Sequence, residues 1–156
     1  MSFKEAIKVE DSPKMKGKVI ATLYDAHTGE KIRDIESDNL VVTTGKNQTA
    51  NLLVGANTTS FNFIGVGSSS SAPTVGDVDL ILPVSSNQCN DRLASNNIAV
   101  FNAYFSSSQA NNGSLSECIL STAQSSGVVL SRALFGTQIN KTSLTTLTVQ
   151  WQLQIS

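Results

Sequence analysis

The chain has 156 residues and a formal net charge of -1, a length that suits one domain with its own core and leaves little room for a second. Charged residues make up 15% of it, below the usual ~25%, and the balanced charge argues against a nucleic-acid partner bound through a basic surface. No apolar run is long enough for a membrane-spanning helix. The first residues lack the basic and apolar regions of a secretory signal, so we expect neither a membrane location nor secretion.

Charge is concentrated at the N-terminal end, where residues 1–38 hold 15 of the charged residues and residues 39–156 hold 8. Residues 1–16 have few apolar groups and contain Pro13, so this segment alone cannot bury enough surface to become ordered. Two interpretations follow: a solvated tail, or an extended N-terminal arm that becomes ordered on a partner subunit. The second interpretation predicts partner contacts at Phe3, Ile7, Val9, Lys14 and Lys16.

Residues 17–24 and 31–38 predict two strands of a hairpin with one solvated face. The turn between them contains Gly29 and His27, the single histidine of the chain. Because no other histidine is available and this one lies in a turn, we do not expect a catalytic or metal-binding role for it.

The hydrophobic pattern changes to a helical period over residues 44–54, which predicts one short helix. Ala50, Leu53 and Val54 form its apolar face, Thr43 or Thr44 is the expected N-cap, and Gly55 is placed to end it.

Further strands are predicted over residues 61–67, 98–105, 115–120 and 128–135, with an irregular edge strand over residues 81–92 and one turn of helix at residues 77–80. Short strands separated by turn-forming clusters favour an antiparallel β-sandwich over an α/β arrangement. We therefore expect a mainly β domain over residues 17–156.

The C-terminal residues 144–156 alternate between apolar and uncharged polar side chains, as in a long strand with two different faces. The apolar face carries Trp151 and is expected to pack on Phe101, Phe105 and Phe135. The polar face carries Gln150, Gln152 and Gln154. Amides bury at lower free-energy cost than charges, so this face is predicted to contact a neighbouring subunit.

Few residues suit catalysis or metal binding. Glu117 alternates with Leu115 and Ile119, so we expect it to be partly buried and paired with Arg92 or Arg132 rather than to act as an acid or base.

Asp77 and Asp79 lack the supporting ligands of a calcium site. Cys89 and Cys118 are expected to be free thiols, with a disulfide between them as the alternative. We therefore predict no catalytic, cofactor or metal residues, and a structural protein rather than an enzyme.

Several segments together resemble small virion proteins of tailed bacteriophages. They are Asn39-Leu-Val-Val-Thr-Thr-Gly-Lys-Asn47, Phe63-Ile-Gly-Val-Gly67, Ser71-Ala-Pro-Thr74, Val100-x-x-x-Tyr-Phe105, Glu117-Cys-Ile-Leu120, Leu130-Ser-Arg-Ala-Leu-Phe135, Ile139-Asn-Lys-Thr142 and Leu144-x-x-Leu-Thr-Val-x-Trp151. The resemblance covers about residues 17–155. Ser68 to Ser71 replace an expected Gly/Thr-rich turn, and Cys118 replaces a commoner Ala.

The resemblance implies a β-rich, non-enzymatic virion component without cofactors. The leading expectation is a capsid decoration (cement) protein, assembled in the bacterial host cytoplasm, that binds the major capsid protein and sister copies as a dimer or trimer. A tail, baseplate or fibre component that contacts other tail proteins or the host is the alternative. A glycan-binding module is a remote third hypothesis, because the sequence shows no clear aromatic platform.

Overall fold

The computed structural model describes residues 14–156, so the predicted contacts of Phe3, Ile7 and Val9 lie outside the described residues. The described residues form nine strands and one helix. These elements are β1 (Met15–Asp25), β2 (Lys31–Val41), α1 (Thr43–Val54), β3 (Phe63–Gly67), β4 (Pro83–Gln88), β5 (Asp91–Ser95), β6 (Ile98–Phe105), β7 (Asn112–Ser121), β8 (Val129–Lys141) and β9 (Thr145–Ile155).

All nine strands belong to one antiparallel sheet in the order β4-β3-β7-β8-β2-β1-β9-β6-β5. The sheet curls so that its two halves face each other across one hydrophobic core, and β2 belongs to both halves. Its residues up to Asp38 pair with β1, and Asn39 to Val41 pair with β8. The prediction of a mainly β, antiparallel fold with one short helix is confirmed.

The two edges of the curled sheet are joined by a short link. The predicted irregular edge strand over residues 81–92 is instead two strands, β4 and β5, which lie at opposite edges. Between them, the Cys89 N–H donates to the Asn62 carbonyl (2.7 Å) and the Asn90 N–H donates to the Asn102 carbonyl (2.9 Å). This link, formed by Cys89 and Asn90, therefore bonds to the β3 side of the sheet at one end and to β6 at the other. It joins the two edges and so closes the curl.

The strand β9 lies at the centre of one half, paired along its length with β1 and over eight residues with β6. Trp151 is fully buried in the main core together with Phe105 and Phe135, and the partly buried Phe101 packs against this core. The predicted packing of the Trp151 face is confirmed.

The helix occupies the predicted segment, and Gly55 ends it in the left-handed conformation (φ 72°) as expected. The predicted N-cap is wrong, because Val42 occupies that position without a side-chain hydrogen bond. The hydroxyl of Thr44 instead donates to the Val129 carbonyl (3.0 Å), which ties the helix to β8.

The predicted apolar face of the helix is also wrong, because Leu53 and Val54 are 83% and 78% exposed. The buried helix residues are Gly45 and Gln48. A Cβ atom on Gly45 would lie 2.3 Å from the Leu130 carbonyl oxygen, so the missing side chain is what lets the helix backbone lie directly on β8. That close contact fixes which face points inward, against the hydrophobic pattern.

Candidate functional site: an ion cluster that holds an aliphatic loop

A fully buried carboxylate lies where β3 leaves the sheet. Glu117 is central in β7, opposite Gly67 of β3, and has no exposed surface. Its side chain accepts hydrogen bonds from the backbone N–H groups of Ser69 (2.8 Å), Ile81 (2.7 Å) and Leu82 (3.1 Å). These three donors lie at the two ends of one segment, residues 68–82, which we call the β3–β4 loop. Glu117 therefore holds both ends of this loop together.

The charge of Glu117 is balanced by Arg132 on the neighbouring strand β8, also fully buried, at 3.4 Å between Nε and Oε1. The predicted choice between Arg92 and Arg132 as partner is thus resolved. Arg132 also reaches the middle of the loop: it donates to the Ser71 carbonyl (2.9 Å) and pairs with Asp77 at 3.2 Å. We call Glu117, Arg132 and Asp77 the ion cluster.

Asp77 organises the apex of the loop. Its carboxylate accepts hydrogen bonds from the backbone N–H (2.9 Å) and the hydroxyl (2.8 Å) of Thr74. Burial alone would raise the pKa of Asp77, but the hydrogen bonds from Thr74 and the charge of Arg132 outweigh it and hold the pKa below its ordinary value. The predicted helical turn at residues 77–80 is wrong, because this carboxylate binds the loop backbone in a non-helical conformation.

Aliphatic side chains project from the loop that the ion cluster holds. Val75, Val78, Ile81 and Leu82 are 54%, 63%, 46% and 54% exposed. Between them, Leu80 is buried in a small cluster with Val42, Ile119 and Val129, which anchors the loop to the sheet. The Val75 carbonyl also accepts the Thr43 N–H at the start of the helix (2.9 Å). The loop is thus held at its ends, its middle and its apex while its apolar side chains face outward.

The arrangement orders the loop before any partner covers it. Desolvating the two ions costs several kcal/mol each, and such a pair persists only when further hydrogen bonds satisfy it. Here those hydrogen bonds are made with backbone groups of the β3–β4 loop. The loop therefore becomes ordered when the domain folds. A loop that is already ordered loses less conformational entropy when a partner covers it.

The predicted contact residues divide into two groups. Lys16 lies directly opposite Gln154 where β1 pairs with β9, and Lys14 pairs through its backbone with Ser156. The end of the predicted arm and the end of the C-terminal strand are therefore neighbours. Gln150 and Gln152 are half-buried, and the Gln152 amide donates to Gln150 (2.7 Å). Their predicted partner contact stays a prediction.

Other chemistry is sparse in the described part of the chain. Residues 14–156 contain no group of three His, Cys, Asp or Glu side chains that would hold a metal ion. Within the same range, no helix has the length and apolar character needed to cross a membrane. Cys89 and Cys118 are free thiols, as expected, and burial raises the pKa of Cys89 to about 11 and also raises that of Cys118. Neither thiol is therefore activated as a nucleophile.

The exposed aliphatic loop was not predicted from the sequence, although one signal was present. Four large aliphatic residues fall within Val78 to Leu82, more than the single helical turn predicted there needs.

Comparisons with protein-family models, with curated proteins and with solved structures gave no match.

Proposed function

We propose that this chain is a structural protein of a tailed-bacteriophage virion, a capsid decoration protein that binds and stabilises the shell of major capsid protein. The observation that carries the proposal is the β3–β4 loop, whose exposed aliphatic side chains are held in place by a buried ion cluster. The resemblance of residues 17–155 to virion proteins supports the identity of the partner. The protein has a mechanical role and no enzymatic one.

The proposed mechanism is the burial of apolar surface that exists only in the assembled shell. Each Å² of apolar surface removed from water contributes about 25 cal/mol. The four exposed aliphatic side chains of the loop therefore favour any state in which a neighbouring subunit covers them. Because the decoration protein binds the closed shell and not its separated subunits, its binding free energy opposes opening of the shell.

Two other segments complete the proposed interface. The charged N-terminal arm extends the contact on the major capsid protein, and it leaves the domain next to the C-terminal end of β9. Sister copies, as a dimer or trimer, are the proposed partners of the remaining polar surface around Gln154, which is exposed. A closed symmetric arrangement is the usual form of such assemblies.

The second candidate is a tail, baseplate or fibre component, favoured by the polar loop over residues 106–111 at the end of β6. Such loops serve as recognition edges on rigid scaffolds. The number of copies in a virion separates the candidates. Hundreds of copies support decoration of the head, and a few dozen or fewer support the tail.

Binding to purified, expanded capsids tests the proposal. Val75→Asp places a charge in the aliphatic surface, and we expect it to lower capsid occupancy at least about tenfold because a desolvated carboxylate is strongly unfavourable. Leu93→Asp is the matched control, since Leu93 has the same 54% exposure but lies on the edge strand β5. Unchanged occupancy for Val75→Asp would contradict the proposed interface.

A deletion tests the arm separately. Met15 and Lys16 belong to β1, so removal of residues 2–13 takes away arm residues while leaving that strand complete. We expect this deletion to abolish binding to expanded capsids without lowering the melting temperature. Full occupancy after the deletion would remove the arm from the proposal and leave the loop as the test of function.

A further inference from the structure

A depression of about 430 Å³ lies on the outer face of the half-sheet that contains β1, β9 and β6. It is separate from the β3–β4 loop, and none of the ion cluster lines it. Its lining residues come from the four adjacent strands β1, β9, β6 and β5 and from the link that closes the curl: Ile20, Thr22, Tyr24, Asn90, Asp91, Asn102, Ala103, Tyr104, Thr148 and Gln150.

A chain of hydrogen-bonded side chains crosses this face from strand to strand. Gln152 donates to Gln150 (2.7 Å), Gln150 donates to Asn102 (3.0 Å), and Asn102 donates to the carboxylate of Asp91 (2.7 Å). An ionised carboxylate only accepts hydrogen bonds, so Asp91 fixes the direction of every amide in the chain. Each amide retains a second N–H, and Asp91 retains further lone pairs. The face therefore presents a fixed row of donors that ends at an acceptor.

Two tyrosines lie on the same face, both on the Thr148 side of this row. Tyr104 lies opposite Thr148 across β6 and β9, and Tyr24 lies opposite Thr146 across β1 and β9. With strands about 4.8 Å apart and residues rising about 3.4 Å, the two tyrosine Cα atoms are roughly 12 Å apart across β9. Tyr104 is 47% exposed. Tyrosine offers a flat apolar ring and a hydroxyl at low entropic cost, which suits ligands with both apolar and polar faces.

The charge of the depression selects among ligands. Among the described residues that line it there is no Lys or Arg, and Asp91 is the single carboxylate. Phosphates, nucleotides and acidic sugars would meet a negative charge without a compensating cation. A ligand with many neutral hydroxyl groups fits, because hydroxyls both donate to Asp91 and accept from the amide N–H groups.

We propose that this depression is a binding site for a neutral saccharide. The amide row and Asp91 hydrogen-bond the sugar hydroxyls, and Tyr104 and Tyr24 contact its apolar ring surface. Glycoside hydrolysis normally requires two carboxylates flanking the scissile bond, and the described residues of the depression supply one, so the site binds sugar without cleaving it. The proposal does not rest on the β3–β4 loop, since the loop and the depression share no residue. It competes with the predicted subunit contact of Gln150, which lines the depression.

Nuclear magnetic resonance of the full, ¹⁵N-labelled chain tests the site. The probes are neutral oligosaccharides of glucose, galactose, mannose, rhamnose and N-acetylglucosamine, each added to about 10 mM, which detects dissociation constants near 1 mM. We expect at least one of them to shift the side-chain amide signals of Asn102 and Gln150. The same sugar should be recovered uncleaved.

Substitutions on one strand provide the matched comparison. Tyr104→Ala is expected to weaken the binding at least about tenfold, whereas Ile98→Ala, on the same face of β6 but outside the depression, should bind as the parent does. Both positions are exposed, so both variants should fold. Tyr104→Ala should also keep full capsid occupancy, which separates this proposal from the capsid one.

Several outcomes would overturn the proposal. One is that no oligosaccharide of the panel shifts the Asn102 and Gln150 signals, and another is that Tyr104→Ala and Ile98→Ala bind the sugar equally. Equal binding of a sialylated oligosaccharide would refute the preference for neutral ligands. Shifts of these signals that depend on protein concentration without any sugar would assign the face to a contact between copies instead.

Discussion

The substitution Glu117→Gln tests how the ion cluster holds the β3–β4 loop. The two carboxylate oxygens accept four hydrogen bonds, with Ile81 and Arg132 on Oε1 and Ser69 and Leu82 on Oε2. Whichever way the Gln amide is turned, its NH₂ group faces two donors that then lack an acceptor. Each unsatisfied buried donor costs about 1–3 kcal/mol, and removing one partner of a buried ion pair costs about 3–5 kcal/mol. We therefore expect a loss of about 4 kcal/mol in the free energy of unfolding.

Thermal and urea unfolding measure this loss, which corresponds to a fall of roughly 10 °C in melting temperature for a domain of this size. Glu36→Gln is the control, because Glu36 pairs with Lys18 at 2.9 Å while its side chain stays 57% exposed. Such a surface pair contributes less than about 1 kcal/mol. Hydrogen exchange should also quicken at the Ser69, Ile81 and Leu82 amides. Equal stability of the two variants, or unchanged exchange at these amides, would refute the reasoning.

Three further predictions concern other parts of the fold. Gly45→Ala should lower the free energy of unfolding by at least about 2 kcal/mol, since the new Cβ would overlap the Leu130 backbone. Gly76→Ala is the control, because a Cβ atom at Gly76 would have no atom within 4 Å. Equal effects of the two substitutions would contradict the packing of the helix on β8. The folded pKa of Asp77 lies below its ordinary value. Asp77 therefore stabilises the folded state at pH values above its ordinary pKa, and this stabilisation is lost as the pH falls through the folded pKa. Asp77→Asn should remove this acid-dependent part from a plot of unfolding free energy against pH, and an unchanged plot would contradict the prediction. Disulfide exchange with an aromatic disulfide reagent near pH 8 should modify Cys89 slowly and the fully buried Cys118 only on unfolding; rapid modification of both thiols would show that the core opens.

The positions of most elements were predictable from the sequence, although β8 extends to Lys141 beyond the predicted residues 128–135. Apolar residues at every second position in residues 99–105 and around Trp151 predicted β6 and β9, because a strand buried on one side needs this pattern. Glycine at position 55 predicted where the helix ends, since it adopts positive φ without steric penalty. The pairing of Glu117 was predicted as one of two choices, because a buried carboxylate requires a cation.

Other features were decided only by tertiary structure. The side chains of Leu53 and Val54 face outward because Gly45 lies on the backbone of β8, a contact that hydrophobic periodicity does not record. The aliphatic side chains of the β3–β4 loop are exposed because Glu117 and Arg132 hold its backbone from strands far along the chain. The proposed sugar-binding face likewise requires strands β1, β9 and β6 to be neighbours, with Asp91 placed beside Asn102 by the pairing of β5 with β6. The local alternation of side chains determined which face of each strand is apolar and buried. The long-range pairing of strands determined which polar and apolar groups meet at the surface.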